Sequence, residues 1–116
     1  MINAWQALSI VLLVVLGTTA GFDLVRSERA FAVTDRLGIP RASVPVLGGV
    51  KVAAALGVFI GADMVRVAEA TGLFLVLYFS AAVLTHLRSR DGLRAVVPAA
   101  VMLAVSAAYL LATVAR

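Results

Sequence analysis

The sequence contains no cysteine, a single histidine and few charged side chains, which make up 14% of its residues. Without cysteine the chain can form no disulfide, no thiolate metal site and no thiol redox centre. A single histidine cannot provide two-histidine haem ligation or a histidine cluster for a metal, so we expect neither a metal nor a haem. Any redox role would therefore need a bound cofactor or a partner protein.

Apolar side chains dominate what remains. Of the 116 residues, 63% are hydrophobic, and the mean hydropathy is +1.08. Soluble domains have roughly 45–50% apolar residues, and a small soluble domain cannot hide a larger share from water. The composition therefore predicts an integral membrane protein whose main partner is the lipid bilayer.

Ten Lys and Arg residues outnumber six Asp and Glu residues, giving a net charge of +4. In a soluble protein this balance would favour nucleic-acid binding. Here nearly all the basic residues lie between the apolar runs, where they suit contacts with anionic headgroups. We therefore predict no nucleic-acid partner.

Four apolar runs, at 4–22, 43–62, 70–87 and 95–115, have the length of membrane spans. About 20 residues of helix cross a hydrocarbon layer of about 30 Å. The first run is expected to stay in the mature protein, because the six residues from Met1 to Gln6 carry no positive charge of the kind that opens a signal peptide. Pro45 and Pro98 fall in the opening turns of their spans, where proline is tolerated.

The connections predict how the spans are arranged. Those at 63–69 and 88–94 are short enough to make neighbouring helices antiparallel. The first connection alternates charges with apolar residues before Gly38 and Pro40, which favours an interfacial helix within 24–37; a solvated loop is the alternative. The predicted fold is all-α: one transmembrane domain over 1–116, an up-down-up-down four-helix bundle.

The distribution of basic residues predicts the orientation. Four lie in the first connection and three in the last, whereas the middle connection and the C-terminus have one each and the N-terminal tail none. By the positive-inside rule the first and last connections are cytoplasmic and both termini are outside. Trp5 and Tyr109, near the predicted outer side, are interpreted as interface anchors.

Small residues recur at every fourth position in two spans, at Gly49, Ala53, Gly57 and Gly61 and at Ala100, Ala104, Ala108 and Ala112. Such spacing lets helix backbones approach closely. It does not distinguish packing within one bundle from packing against a second copy, so a homo-oligomer stays open.

Lys51 is the one charged residue inside a predicted span. An ionisable group there costs at least about 2.5–3.5 kcal/mol on insertion scales, so it needs a partner, water or a ligand. On a helical wheel it points more than about 100° away from the mean direction of the small residues of its span. Two interpretations stay open: a structural lysine that snorkels or pairs with Asp23 or a carbonyl, and a functional amine that binds a ligand or acts as a general base.

Counting residues along the spans groups other polar side chains with Lys51. Tyr78 falls at about the same depth, and Thr18, Thr19 and Asp23 lie nearer the cytoplasmic side. His86 ends the third span beside three arginines that suit headgroup contact or the rim of a site. The candidate ligand-binding residues are Lys51, Tyr78, Thr18, Thr19, Asp23 and His86; the rim residues are Arg88, Arg90 and Arg94; no catalytic dyad is recognised.

Three segments stand out together: 38–40 (GIP) before the second span, 47–57 (LGGVKVAAALG) within it and 85–91 (THLRSRD) closing the third. In this combination they resemble the DoxX-like family of small bacterial membrane proteins. The resemblance covers nearly the whole chain and implies a multi-pass protein of the bacterial cytoplasmic membrane. Many relatives have an acidic residue where Lys51 stands, so we transfer no carboxylate-based role and no catalytic residue.

The family takes its name from a small subunit of an archaeal quinone-reducing sulfur-oxidation system. The resemblance therefore implies an accessory or ligand-binding protein near quinone or lipid-linked redox chemistry, with quinone or lipid as the ligand and a membrane redox complex as a partner. The alternatives are a membrane enzyme acting on a hydrophobic substrate through Lys51, and an oligomeric transporter of small molecules.

Overall fold

The protein is a bundle of four helices. The computed structural model describes residues 3–24, 42–88 and 92–115, together with the single positions 32, 35, 38 and 40. Within these residues the chain forms α1 (Ala4–Leu24), α2 (Ser43–Ile60), α3 (Val65–Arg88) and α4 (Leu93–Val114), and no strand. Each helix is long and apolar enough to span a membrane. The predicted all-α membrane fold is confirmed.

Each helix packs against the next one along the chain, and α4 returns to pack against α1. The contacts within the pairs α1–α2 and α3–α4 are the most extensive, whereas α2–α3 and α1–α4 meet over smaller areas. Neighbouring helices run in opposite directions, as the up-down-up-down prediction requires. The bundle is therefore built from two helical hairpins, α1–α2 and α3–α4. The hairpins meet at two less extensive contacts, which we call the α2–α3 seam and the α1–α4 seam.

The core lies where all four helices face inward. Leu12 and Leu16 of α1, Val58 of α2, Leu75 of α3 and Tyr109 of α4 are at most 1% exposed. Large apolar side chains also cover the outside, for example Phe59 at 69%, Leu77 at 62% and Leu111 at 70%. A surface this apolar is stable only in contact with lipid.

Two helices begin earlier than the predicted spans. α3 starts at Val65 rather than at residue 70, so only residues 61–64 form the turn from α2. α4 starts at Leu93, which puts Pro98 in its second turn rather than its first. A proline there provides no N–H for the carbonyl of Arg94, four residues earlier.

Most of the expected interfacial helix within 24–37 lies outside the described residues. Gly38, predicted as a helix-stop residue, has a φ of 75°. This left-handed conformation is one that glycine adopts without a steric penalty.

The small residues of α2 divide between two surfaces. A Cβ atom at Gly57 would overlap the hydroxyl of Thr71, and one at Gly61 would lie 2.8 Å from Cβ and 2.9 Å from Cα of Ala68. Gly49 has open space around it. The two glycines nearest the turn therefore let α2 and α3 approach closely, while the predicted contact face does not continue to Gly49.

Candidate ligand site at Lys51

Lys51 lies on the side of α2 that faces the bundle. The residues three and seven positions before Lys51, and those three and seven positions after it, share its face of the helix. All four are buried: Val44, Gly48, Ala54 and Val58. The Lys51 side chain itself is half-buried.

The residue also lies near the middle of its span. It follows Ser43 by eight residues and precedes Ile60 by nine. At a rise of 1.5 Å per residue it is about 12 Å from one end of α2 and about 13.5 Å from the other. Its position is therefore within the hydrocarbon layer rather than at the headgroups.

The packing of α2 against α3 determines which residue lies opposite Lys51. Gly61 contacts Ala68, and Gly57 contacts Thr71 one turn further along both helices. Continuing this antiparallel register by one turn pairs Ala54 with Leu75, and a further step pairs Lys51 with Tyr78. The sequence prediction that Tyr78 lies at the depth of Lys51 agrees with this register.

These residues line one crevice between α1, α2 and α3. It has about 140 Å³ of empty space including its open mouth, and its walls are too close to admit a water molecule. The lining residues are Leu16, Val50, Lys51, Ala54, Phe74, Leu75 and Tyr78. Among these described residues only Lys51 and Tyr78 are polar, so an amine and a phenol lie beside apolar walls.

Two aromatic contacts hold the ring of Tyr78. Its centroid is 5.2 Å from that of Phe79 in an edge-to-face arrangement at 89°, and 6.0 Å from that of Phe74 at 34°. Phe79 is 9% exposed and anchors the group in the core, whereas Phe74 is 42% exposed at the mouth of the crevice. The phenol is thus fixed between the core and the lipid-facing surface.

Thr18 and Thr19 of α1 are not among the described residues that line this crevice. Thr19 is half-buried, and its hydroxyl donates to the carbonyl of Val15 at 2.8 Å, within its own helix. Thr18 is exposed, about 200° around α1 from Leu16, which does line the crevice. Asp23 lies in the last turn of α1, and its side chain is outside the described part of the chain.

His86 is separated from the crevice along α3. It follows Tyr78 by eight residues, or about 12 Å of helix, and it is half-buried in the last turn with Arg88. Arg88 and Arg94 are both exposed where α3 ends and α4 begins, and Arg90 lies outside the described residues. We call this the basic end of the bundle and the end at residues 61–64 the turn end.

The structure also buries polar residues that the sequence analysis did not group. Ser106, Tyr109 and Thr113 of α4 are at most 1% exposed, and their spacing of three and four places them on one inward face. Tyr109 is therefore a core residue, and its interpretation as an interface anchor was wrong. The spacing was the available signal, but the aromatic ring near a predicted helix end favoured the anchor interpretation.

The hydroxyls of this region bond mainly to their own helices. Those of Ser9, Thr71 and Ser106 each donate at 2.8 Å to a carbonyl four residues earlier. Among the residues that the structure describes, no three acidic, histidine or cysteine side chains are close enough to hold a metal ion. Among the described residues, Lys51 and Tyr78 are therefore the polar pair that is best placed to bind a ligand.

Comparison with known proteins gives one match. The family model described as DoxX-like matches residues 7–109, a stretch that includes the crevice and most of all four helices. No curated protein and no solved structure matches the chain.

Proposed function

The chain belongs to the DoxX-like family, and we propose that it is a small accessory or ligand-binding protein of the bacterial cytoplasmic membrane with both termini outside. In this proposal it binds a lipid-soluble molecule in the crevice at Lys51 and Tyr78. The ligand serves quinone or lipid-linked redox chemistry that a partner complex carries out.

The crevice is the observation that carries this proposal. It places an amine and a phenol at the middle of a membrane-spanning helix, with apolar and aromatic side chains around them. Intramembrane ionisable residues usually mark binding or transport sites, because leaving them there without a function is costly. The aromatic contacts that fix Tyr78 further favour a preorganised donor.

A quinone fits this chemistry. Its carbonyl oxygens accept hydrogen bonds, and both the Lys51 amine and the Tyr78 hydroxyl can donate them. Its flat ring suits the aromatic wall formed by Phe74 and Tyr78. A phospholipid is the other ligand of this proposal, with its phosphate near Arg88 and Arg94 at the basic end.

The test is native mass spectrometry of the protein in lipid nanodiscs, with and without an added alkyl-substituted benzoquinone. Wild type is compared with Lys51→Leu and with Thr18→Val, a control that removes an exposed hydroxyl away from the crevice. We expect a copurified molecule or a quinone adduct in wild type and in Thr18→Val, and its loss in Lys51→Leu. No adduct in any of the three proteins, or the same adduct in all three, would contradict the proposal.

A further inference from the structure

One of the two less extensive interhelical contacts, that between α2 and α3, runs through the proposed site. The crevice is lined by Leu16, Val50, Lys51 and Ala54 from the α1–α2 hairpin, and by Phe74, Leu75 and Tyr78 from the α3–α4 hairpin. The two hairpins are held together internally by more extensive contacts than those between α2 and α3. Separating them therefore breaks fewer contacts than opening either hairpin would.

Two glycines bring α2 and α3 into close contact near the turn end. There Gly57 and Gly61 lie directly against Thr71 and Ala68, and residues 61–64 connect the two helices covalently. The crevice begins one turn further from the turn end, at Ala54 and Leu75, and continues to Lys51 and Tyr78. The seam is thus fixed at one end and bordered by empty space further along.

The mouth of the crevice is at the lipid-facing surface. Phe74 on its wall is 42% exposed, and the level of Lys51 is about 12 Å from the nearer end of α2. Water does not fit between the walls. A molecule that approaches at this depth comes from the hydrocarbon layer rather than from either aqueous side.

We propose that the ligand reaches Lys51 sideways from the bilayer, through a gap that opens between α2 and α3 when the two hairpins hinge about the contact of Gly57 and Gly61 with Thr71 and Ala68. This inference rests on the proposed function and narrows its ligand class. The ligand carries its hydrogen-bond acceptor within the hydrocarbon layer, as a lipid-soluble ring carbonyl does. A phospholipid phosphate, which stays at the headgroup level, is excluded from this site.

Lys51 is the only lysine in the chain, so amine chemistry reports on this one side chain and on the amino terminus. We would treat the protein in nanodiscs with phenyl isothiocyanate, which dissolves in the bilayer, and with its sulfonated analogue, which stays in water. In each case the amine nitrogen bonds to the isothiocyanate carbon, and its proton moves to the reagent nitrogen to give a thiourea. The two modified amines are resolved by mass spectrometry of peptides.

We expect the lipid-soluble reagent to modify Lys51 and the sulfonated reagent to spare it, while the amino terminus reacts with both. Both faces of a nanodisc are open to water, so this comparison covers aqueous routes from either side. Equal modification of Lys51 by the sulfonated reagent would overturn lateral access, because it requires a water-filled route. Protection of Lys51 from both reagents would overturn it as well, because no gap then opens.

A disulfide across the seam tests the hinge. Because the chain lacks cysteine, Leu47→Cys with Ala82→Cys gives a single possible pair at the register of α2 and α3, on the far side of the crevice from the turn end. Ala62→Cys with Val67→Cys is the matched control at the hinge. Oxidation of the first pair should slow the modification of Lys51 by about tenfold or more. The reason is that the disulfide suppresses an open state that is populated at a few per cent. Reduction of the disulfide should restore the original rate.

Oxidation of the control pair should leave the rate unchanged, and an unchanged rate with the first pair oxidised would contradict the hinge.

The failures of the two proposals are distinguishable. Lateral reactivity without any adduct in native mass spectrometry would reject the proposed function and keep the access route. An adduct that depends on Lys51, together with modification of Lys51 by the sulfonated reagent, would keep the proposed function and reject the lateral access route.

Discussion

Gly57 of α2 lies against the hydroxyl of Thr71 of α3, so closely that a methyl group at position 57 would overlap it. The Thr71 hydroxyl is itself held by a 2.8 Å hydrogen bond to the carbonyl of Val67. Relief of the overlap would need a new rotamer for a buried threonine or a shift of one helix. This contact sets the register that brings Lys51 level with Tyr78.

We predict that Gly57→Ala destabilises the bundle by about 1–3 kcal/mol, the usual range for overpacking. Gly49→Ala is the control, because Gly49 is in the same helix with open space around it. The measurement is the unfolding free energy of each variant in mixed micelles. Equal stabilities for the two variants would show that α2 and α3 do not approach at Gly57.

Thr113 gives a prediction of the opposite sign. Its hydroxyl oxygen is buried and has no hydrogen-bond partner among the described residues. Replacing such a group by an apolar one of the same shape removes a desolvation penalty of about 1–3 kcal/mol. Thr113→Val should therefore unfold at a higher temperature than wild type.

Thr71→Val provides the comparison for Thr113→Val, since the Thr71 hydroxyl is hydrogen-bonded. It should gain less stability than Thr113→Val or lose some. If Thr71→Val stabilised the protein more, the account of these two hydroxyls would be wrong.

Lys51 should make α2 a poorer substrate for membrane insertion. Lys51→Leu removes a penalty of about 2.5–3.5 kcal/mol on insertion scales. We expect the apparent insertion free energy of the isolated 43–62 segment to fall by about that amount in a glycosylation-based assay. Moving the lysine to position 43, at the helix end, should recover most of the same gain. An unchanged value for Lys51→Leu would mean that the lysine is not held within the hydrocarbon layer.

The distribution of arginines predicts the orientation of the bundle. Reporter fusions at Arg90 should show a cytoplasmic location, and fusions at Met64 an external one. In the sequence, three arginines lie at positions 88, 90 and 94, at or near the connection from α3 to α4, whereas Arg66, in the first turn of α3, is the one arginine at or near the connection from α2 to α3. A cytoplasmic reporter at Met64 would refute the orientation.

The sequence was sufficient for the four helices and for Lys51. Long uncharged runs predict spans directly, because a run of about 20 apolar residues can cross the lipid with all its backbone groups paired by forming a helix. A single charge in such a run stands out without knowledge of the fold. The depth of Tyr78 could also be predicted, since depth requires only counting residues along helices of known direction.

Direction around each helix was harder to predict. A residue repeated every fourth position turns by about 40° at each step, so a row from Gly49 to Gly61 winds from one face of α2 to another. This is why Gly57 and Gly61 contact α3 while Gly49 does not. Similarly, Thr18 was grouped with Lys51 by depth, but it lies on the exposed side of α1. The side of the helix that faces the core depends on how the hairpins pack, and the sequence of one span alone does not determine that packing.

The most direct test of the central claim is a solid-state NMR correlation between the side-chain nitrogen of Lys51 and the ring of Tyr78 in lipid bilayers. With labelled lysine, the chain gives one side-chain nitrogen signal, because Lys51 is its only lysine. We predict a cross-peak between this nitrogen and the Tyr78 ring, absent in Tyr78→Leu, and a shift of the lysine signal when an alkyl-substituted benzoquinone is added. A lysine nitrogen that correlates with lipid headgroups and water, and does not respond to the quinone, would contradict the site.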